Sequence, residues 1–389
     1  MVRFGIIGCG VIGLSTATAL QSEYRDSEIL LAGAEQGSAL ISHGAAGVFR
    51  PEPSLMPGLT CCNSEAACTE CPFNRWCKRG QTYYWDLARG QDAAFAGAFF
   101  LPLYNVYEHL PHRSPFITKL CCGSKVVDKD ELSSIGFNEG LNGGYSYVTC
   151  AVEGRYFLPY LLGNIQRNAR FPVSLSVGQS VLFESMHDVY SWATSNKIDV
   201  VMNCSGLGAS KLCRDRYLTP LRGRLVRVSA PWMKFGFYGP HDTYAYPGRD
   251  SVILGGFREP LPCTIDAPLR PEDTAASGEA TKNILHRIKD TWCGPLSQGT
   301  ITEEWTGLRP QRPIVRLELT WLNADGSEGP SSSDCLPVVH NYGHGSMGIA
   351  LGRGTALDVV GLVDQALRRG ASVNALPILA PGLEKLTLH

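Results

Sequence analysis

Apolar residues along the chain fall into blocks whose spacing alternates between that of buried strands and that of helices. Val2, Phe4, Ile6 and Ile7 form a short, nearly continuous apolar run, as in a strand buried on both faces. A helical pattern follows from Leu14 to about Gln21, and Ile29 to Ala32 predicts a second buried strand. Val200-Val201-Met202 predicts another, ending in the small-residue turn Asn203-Cys204-Ser205-Gly206-Leu207-Gly208. Leu225 to Val228 and Val252 to Leu254 carry the strand signals of an antiparallel sheet. Pro271 to Asp290 predicts a helix starting at Asp273 or Thr274, and a last helix is expected from about Gly354 to Leu367. No internal repeat interrupts this order. The pattern predicts an α/β fold, in which a Rossmann-like domain is interleaved with a second α+β domain built on a mostly antiparallel sheet.

The turn after the first strand carries the first chemistry. It reads Gly8-Cys9-Gly10-Val11-Ile12-Gly13. Gly8 permits the tight turn, Gly10 lets the backbone approach a pyrophosphate, and Gly13 lets helix and strand pack closely. Phosphates would sit at the positive end of the helix dipole, beside Val11 and Ile12. Glu35 lies 22 residues beyond the last glycine, where a carboxylate meets ribose hydroxyls. These residues predict the ADP half of a dinucleotide and leave NAD and FAD level.

With 389 residues, the chain is long enough for two intimately packed lobes. Its formal net charge of −1, without a basic run, gives no field that would draw it to nucleic acid. No apolar stretch approaching the roughly 18 residues of a membrane span stands out, so no membrane partner is expected. Gly8 to Gly13 interrupts any signal-peptide pattern, and the final Leu-Thr-Leu-His is not the Ser-Lys-Leu address. The expected setting is therefore cytoplasmic or peroxisomal, with the 14 cysteines reduced by default. The oligomeric state is not legible.

Four later segments resemble one family, the D-amino-acid oxidase and D-aspartate oxidase flavoenzymes. They are Ser42-His43-Gly44-Ala45-Ala46-Gly47, the strand and turn from Val200 to Gly208, Thr306-Gly307-Leu308-Arg309-Pro310, and His340-Asn341-Tyr342-Gly343-His344-Gly345-Ser346-Met347-Gly348-Ile349. With Val11 to Ala17, Ala230 to Lys234 and Tyr244 to Gly248, matches run in order from residue 2 to about residue 360. The resemblance implies non-covalent FAD, with its isoalloxazine at the junction of two lobes. It implies cofactor contacts from Ser42, His43, Gly44, Ala46 and Gly47, whose small side chains would let the chain cross close to the flavin. It also implies contacts from Gly345, Ser346, Met347, Gly348 and Ile349. The FAD-binding domain would gather residues 1–50, 145–212 and 303–389, and the substrate domain 51–144 and 213–302.

A D-amino acid presents an α-carboxylate, which a planar and permanently charged fork suits best. Arg309 matches the family's carboxylate-binding arginine, and Tyr244, three residues before Pro247, matches its tyrosine on the same carboxylate. Tyr246 would share a face with Tyr244 in a regular strand and form a second wall. Arg258, after Gly255-Gly256-Phe257, stands where the D-aspartate branch pairs an arginine with the substrate's side-chain carboxylate, and Ser346 also resembles that branch. The chain departs from the branch over Phe235 to Asp242, which offers Tyr238 and His241 but no arginine. The reaction so implied is oxidative deamination of acidic D-amino acids by oxygen, giving a 2-oxo acid, ammonia and hydrogen peroxide. Orientation and the flavin do the work, and no general base is assigned among His43, His340 and His344. Two other readings stay open: the same chemistry on neutral D-amino acids, and nucleotide or flavin binding without oxidase activity.

Residues 51–82 depart from the family. Cys61, Cys62, Cys68, Cys71 and Cys77 crowd this insert, and Cys68-x-x-Cys71 has metal-ligand spacing. Free thiols on a loop, a disulfide and a structural zinc are the alternatives, and the insert is expected to cover the pocket mouth.

Overall fold

The structure, a computed structural model, describes residues 1–58, 71–178, 183–265, 267–329 and 335–368. Its strands are β1 (Val2–Ile7), β2 (Ser27–Gly33), β3 (Ala98–Tyr107), β4 (Cys122–Asp128), β5 (Gly143–Val152), β6 (Ser174–Val177), β7 (Val200–Asn203), β8 (Thr219–Ser229), β9 (Gly236–Tyr238), β10 (Tyr244–Pro247), β11 (Val252–Gly255), β12 (Glu259–Pro260), β13 (Thr300–Leu322), β14 (Glu328–Gly329) and β15 (Leu336–His344). They join in one sheet of order β4-β5-β3-β9-β10-β11-β8-β13-β15-β7-β1-β2-β6, with β12 on β8 and β14 on β13. The α/β class stands. β15, β7, β1, β2 and β6 pair in parallel, whereas β3, β4, β5, β8, β10 and β11 pair antiparallel with their neighbours, except where β3 meets β9.

The opening apolar run is β1, parallel to β2 on one edge and to β7 on the other, and it is apolar on both faces because both are covered: Phe4 and Ile6 enter one core cluster and Ile7 another. Phe4 and Ile6 are fully buried there. β13 joins the two kinds of sheet. Over Thr300–Gln311 it pairs with β8, and over Gln311–Leu322 with β15. Pro313 falls at the register shift between Gln311 and Arg316, the sort of irregularity at which a proline can enter a sheet. The boundary expected near residue 145 falls inside β5, which pairs with β3 and β4.

Two helix predictions need correction. The last helix spans Gly348–Leu367, beginning six residues before the predicted start. Glycine weakens an isolated helix, so Gly348 and Gly352 argue locally against a helix over this stretch. Here packing overrides propensity: a Cβ on Gly354 would lie 2.4 Å from the Trp76 backbone, and one on Gly80 would lie 2.3 Å from the Ala350 carbonyl. Glycines thus let this helix and Pro72–Arg89 come into close contact. The stretch Gly345–Leu367 is also long and apolar enough to cross a membrane, against the expectation of no such segment, and more than half of it is buried inside the molecule. The second correction concerns Pro271 to Asp290. It divides into Pro271–Thr274 and Gly278–Thr291, the latter capped by the Ser277 hydroxyl, which accepts from the Ala280 amide.

Of the insert cysteines, Cys61, Cys62 and Cys68 lie outside the described residues. Cys71 and Cys77 bracket the start of the Pro72–Arg89 helix and are buried in the core, where desolvation pushes the Cys77 thiol well above its ordinary pKa.

Candidate active site

The glycine turn after β1 is held from within the protein. Gly8 has φ +106°, and a Cβ there would lie 2.3 Å from the Cys204 carbonyl. A Cβ on Gly13 would lie 1.9 Å from the Gly8 carbonyl, so this glycine packs the Val11–Glu23 helix onto its own turn and does not line the cavity. Gly10 is the N-cap of that helix and offers no side-chain cap, and the Val11 amide donates to the Ser42 hydroxyl at 3.2 Å. The positive end of a 13-residue helix therefore opens onto a cavity of about 820 Å³ lined by Gly8, Gly10, Val11, Ile12, Glu35, Ser42, Ala46 and Gly47. A helix start whose N-cap is glycine, a glycine turn that approaches closely and a carboxylate just beyond β2 form a site that fits the ADP portion of FAD.

The same cavity continues past Gly345, Ser346, Met347, Gly348 and Ile349 to Tyr244, Tyr246, Arg258 and Arg309. The Gly345–Met347 turn leads straight into the last helix, and Gly343 and Gly345 hold positive φ of 90° and 57°. Ser346 stands on this turn, facing the cavity. Sixteen of the residues predicted from sequence are thus brought to one cavity, and three are not. Besides Gly13, these are His43 and Gly44. A Cβ on Gly44 would lie 2.1 Å from the Trp305 indole, and one on Gly47 would lie 1.8 Å from the Val152 carbonyl. Gly44 thus serves close approach to protein, while Ser42, Ala45, Ala46 and Gly47 of the same crossing line the cavity. His43 stands half-buried by the Arg155, Glu303 and Arg227 charges, and burial lowers its pKa.

Arg309 lies near the middle of β13, just before that strand changes partner from β8 to β15. Its guanidinium occupies the space where a side chain on Gly223, in β8, would be: a Cβ there would lie 2.2 Å from Arg309 Cζ. Nη1 donates to the Phe257 carbonyl at 3.1 Å, and among the described residues no carboxylate pairs with it. Burial draws its pKa below the ordinary arginine value, with Tyr244 opposing. The Tyr244 ring lies against Gly255 and Gly256, where a Cβ would come within 2.1 Å and 2.5 Å of ring atoms. Tyr246 shares the face of Tyr244, their rings stacked at 4.6 Å, so the second wall is present. Tyr238, across from Tyr244 in the β9–β10 register, stacks on it at 6.5 Å.

Arg258 is differently placed. Its Nη2 lies 3.3 Å from Asp242 Oδ1 and 3.4 Å from the Tyr238 hydroxyl, which donates to the same carboxylate. His241 and Asp242 both adopt left-handed backbone, with φ of 56° and 57°, and Arg287 donates to the His241 carbonyl and, at 2.7 Å, to the Gly256 carbonyl. Two successive non-glycine residues in that region are costly, at roughly 1–3 kcal/mol each. They place Asp242 in the cavity where the sequence reading sought an arginine. His344 and His340 are buried in hydrogen bonds, His344 to the Thr355 hydroxyl at 3.1 Å. Burial lowers both, His344 to about 3.

Arg50 and Trp305 line the cavity without having been singled out from sequence. Arg50 follows the Ser42–Gly47 crossing, and its guanidinium lies 3.5 Å above the Tyr238 ring.

A model of the FAD dependent oxidoreductase (DAO) family matches residues 3–362. The chain is 29% identical over 373 residues to D-aspartate oxidase of Homo sapiens, covering 94% of this chain and 95% of that one. It is 25% identical over 368 residues to D-amino acid oxidase of Dugesia ryukyuensis, with 94% and 98% covered. Glycine oxidase from Bacillus cereus shares the fold at a TM-score of 0.65, 16% identity and coverage of 94% and 95%. The dinucleotide cradle and the family match over nearly the whole length agree: the chain belongs to the FAD dependent oxidoreductase (DAO) family.

Proposed function

We propose that the protein oxidatively deaminates D-amino acids with oxygen as acceptor, and that acidic D-amino acids, D-aspartate and D-glutamate, are its preferred substrates. One observation carries the reaction class: a desolvated guanidinium, Arg309, has no carboxylate partner among the described residues and lines the cavity that the FAD cradle opens onto. A buried unpaired charge is costly, so an anionic ligand is its natural complement. Arg309 would take the α-carboxylate as a two-pronged donor, and the Tyr244 hydroxyl would add a neutral one. The Tyr244 and Tyr246 rings would exclude water and hold the substrate against one wall.

Bound FAD supplies the two-electron oxidation, and its reoxidation by oxygen would release hydrogen peroxide. The protein's own part is orientation. Asp242 is engaged by Arg258 and Tyr238, and His344 is buried, neutral and bonded to Thr355, which supports a reaction without a side-chain base. The acidic preference is supported by charge. Arg50, Arg258 and Arg309 line the substrate end of the cavity against Asp242. A second reading, neutral D-amino acids, draws on the Arg258–Asp242 pair, which neutralises the arginine that the sequence resemblance implies for the side chain.

The test is peroxide release by the flavin-loaded protein across D-aspartate, D-glutamate, D-alanine and their L-enantiomers. Higher kcat/KM for D-aspartate and D-glutamate than for D-alanine, with no turnover of L-enantiomers, is expected. A reversed order would establish the neutral reading, and no peroxide with any D-amino acid would overturn the proposal.

A further inference from the structure

Resting on the acidic-substrate reading, we infer that Arg50, rather than Arg258, receives the substrate's side-chain carboxylate. Arg258 already has a carboxylate partner: Asp242 lies 3.3 Å away, held in place by the left-handed turn at His241 and Asp242. A second carboxylate brought to Arg258 would meet that of Asp242, and like charges in a partly desolvated pocket repel. The guanidinium of Arg50 lies over the ring of Tyr238, whose hydroxyl joins the Arg258–Asp242 group. Its side chain is only 9% exposed, and its one described carboxylate contact is Glu52 at 3.5 Å, a residue 35% exposed that does not line the cavity.

Arg50 is also pre-set. The backbone just before it is pinned to β5, where the Phe49 amide donates to the Cys150 carbonyl at 2.8 Å and the Thr149 hydroxyl donates to the Phe49 carbonyl at 2.6 Å. Just after it, the Glu52 amide donates to Met347 Sδ at 3.4 Å, tying this segment to the glycine turn that borders the cavity. Stacking on Tyr238 fixes the guanidinium plane, so little ordering remains when a carboxylate arrives. Arg309 stands by Tyr244 and Arg50 over Tyr238, so cations served by adjacent stacked rings face one cavity. That arrangement fits a molecule with two carboxylates.

The experiment compares wild type, Arg50→Gln, Arg50→Lys and Arg258→Gln as FAD-loaded proteins. It measures kcat/KM for D-aspartate and D-alanine, and the flavin absorbance change on titration with malonate and with acetate. Arg50→Gln is expected to lower kcat/KM for D-aspartate roughly 10- to 100-fold more than for D-alanine, the range of a lost charge-assisted hydrogen bond. It should weaken malonate more than acetate, and Arg50→Lys should recover part of both. An Arg50→Gln protein that holds FAD and keeps the wild-type ratio of the two substrates overturns the inference, as does a selective loss confined to Arg258→Gln. Wild type that prefers D-alanine overturns the acidic-substrate reading itself, independently of either variant.

Discussion

Gly223→Ala tests the seat of Arg309 without altering any charge. A Cβ at position 223 would lie 2.2 Å from Arg309 Cζ and 2.3 Å from both Nη atoms, nearer than heavy atoms can approach. The colliding group is the far end of a flexible side chain, so the guanidinium moves and the backbone does not. Gly223 pairs with Gly307 inside the β8–β13 ladder, and alanine there needs no unusual backbone. Folding stability should therefore hold or rise by about 0.5 kcal/mol, since alanine restricts the unfolded chain. Catalysis should fall. A misplacement of about 1 Å can cost about 100-fold in an oriented reaction, and a charge-assisted hydrogen bond is worth about 1.5–3 kcal/mol. The two agree on a loss of roughly 10- to 100-fold in kcat/KM. Because every amino acid carries the α-carboxylate, the loss should be the same for D-aspartate and D-alanine. Peroxide kinetics on both substrates, with urea unfolding and bound-flavin content as controls, decide the matter. Wild-type kinetics in a folded, flavin-loaded variant would refute the seat, and a loss confined to D-aspartate would refute the α-carboxylate role.

Glu35→Ala should weaken FAD binding about tenfold or more by removing the carboxylate at the nucleotide end of the cavity, as read by equilibrium dialysis; unchanged affinity would exclude a role for Glu35. Glu153→Ala would leave Arg227, 1% exposed, with Glu303 at 3.3 Å as its remaining carboxylate in place of two, and should cost about 1.5–3 kcal/mol in urea unfolding, while a cost under about 1 kcal/mol would show that Glu153 and Arg227 are not coupled. His344 keeps its proton off until about pH 3 when folded, whereas an unfolded histidine takes one up near pH 6.5. Stability should therefore fall as pH drops from about 7 towards 3, by up to about 1.4 kcal/mol per pH unit for this proton, and His344→Asn should flatten that slope; an unchanged slope would refute the assignment.

The strands and the nucleotide turn were legible because they depend on local rules. β1 is apolar on both faces since both are buried in core, and the glycine spacing reports a backbone that must turn and approach closely. The start of the last helix was not legible. Gly348 and Gly352 weaken a helix locally, and the Trp76 backbone against Gly354 explains why glycine belongs inside a helix there. The Ser42–Gly47 crossing was legible as a close approach, and the structure divides it: Ser42, Ala45, Ala46 and Gly47 line the cavity, whereas at position 44 protein fills the short space, which glycine alone does not reveal. Gly44 meets Trp305, a residue 261 positions away.

The arginines of the cavity divide along the same line. Arg309 stands out in the sequence because it lies in a segment whose neighbours also match, and β13 carries it to the junction where sheet partners change. Arg50 belongs to no such segment, and its relevance arises only when Tyr238, from β9, comes beneath it. The same ring connects the Arg258–Asp242 pair to Tyr244 and so to Arg309. A sequence reading can count arginines that resemble a pattern, but it cannot tell which of them already has a partner. Asp242 changes the meaning of Arg258 from free cation to half of an ion pair, by virtue of a turn that holds two successive non-glycine residues in the left-handed region. A list of the cations that line the cavity therefore says less than their partners do: Arg309 pairs with no described carboxylate, Arg258 meets Asp242 inside the cavity, and Arg50 meets Glu52 outside it.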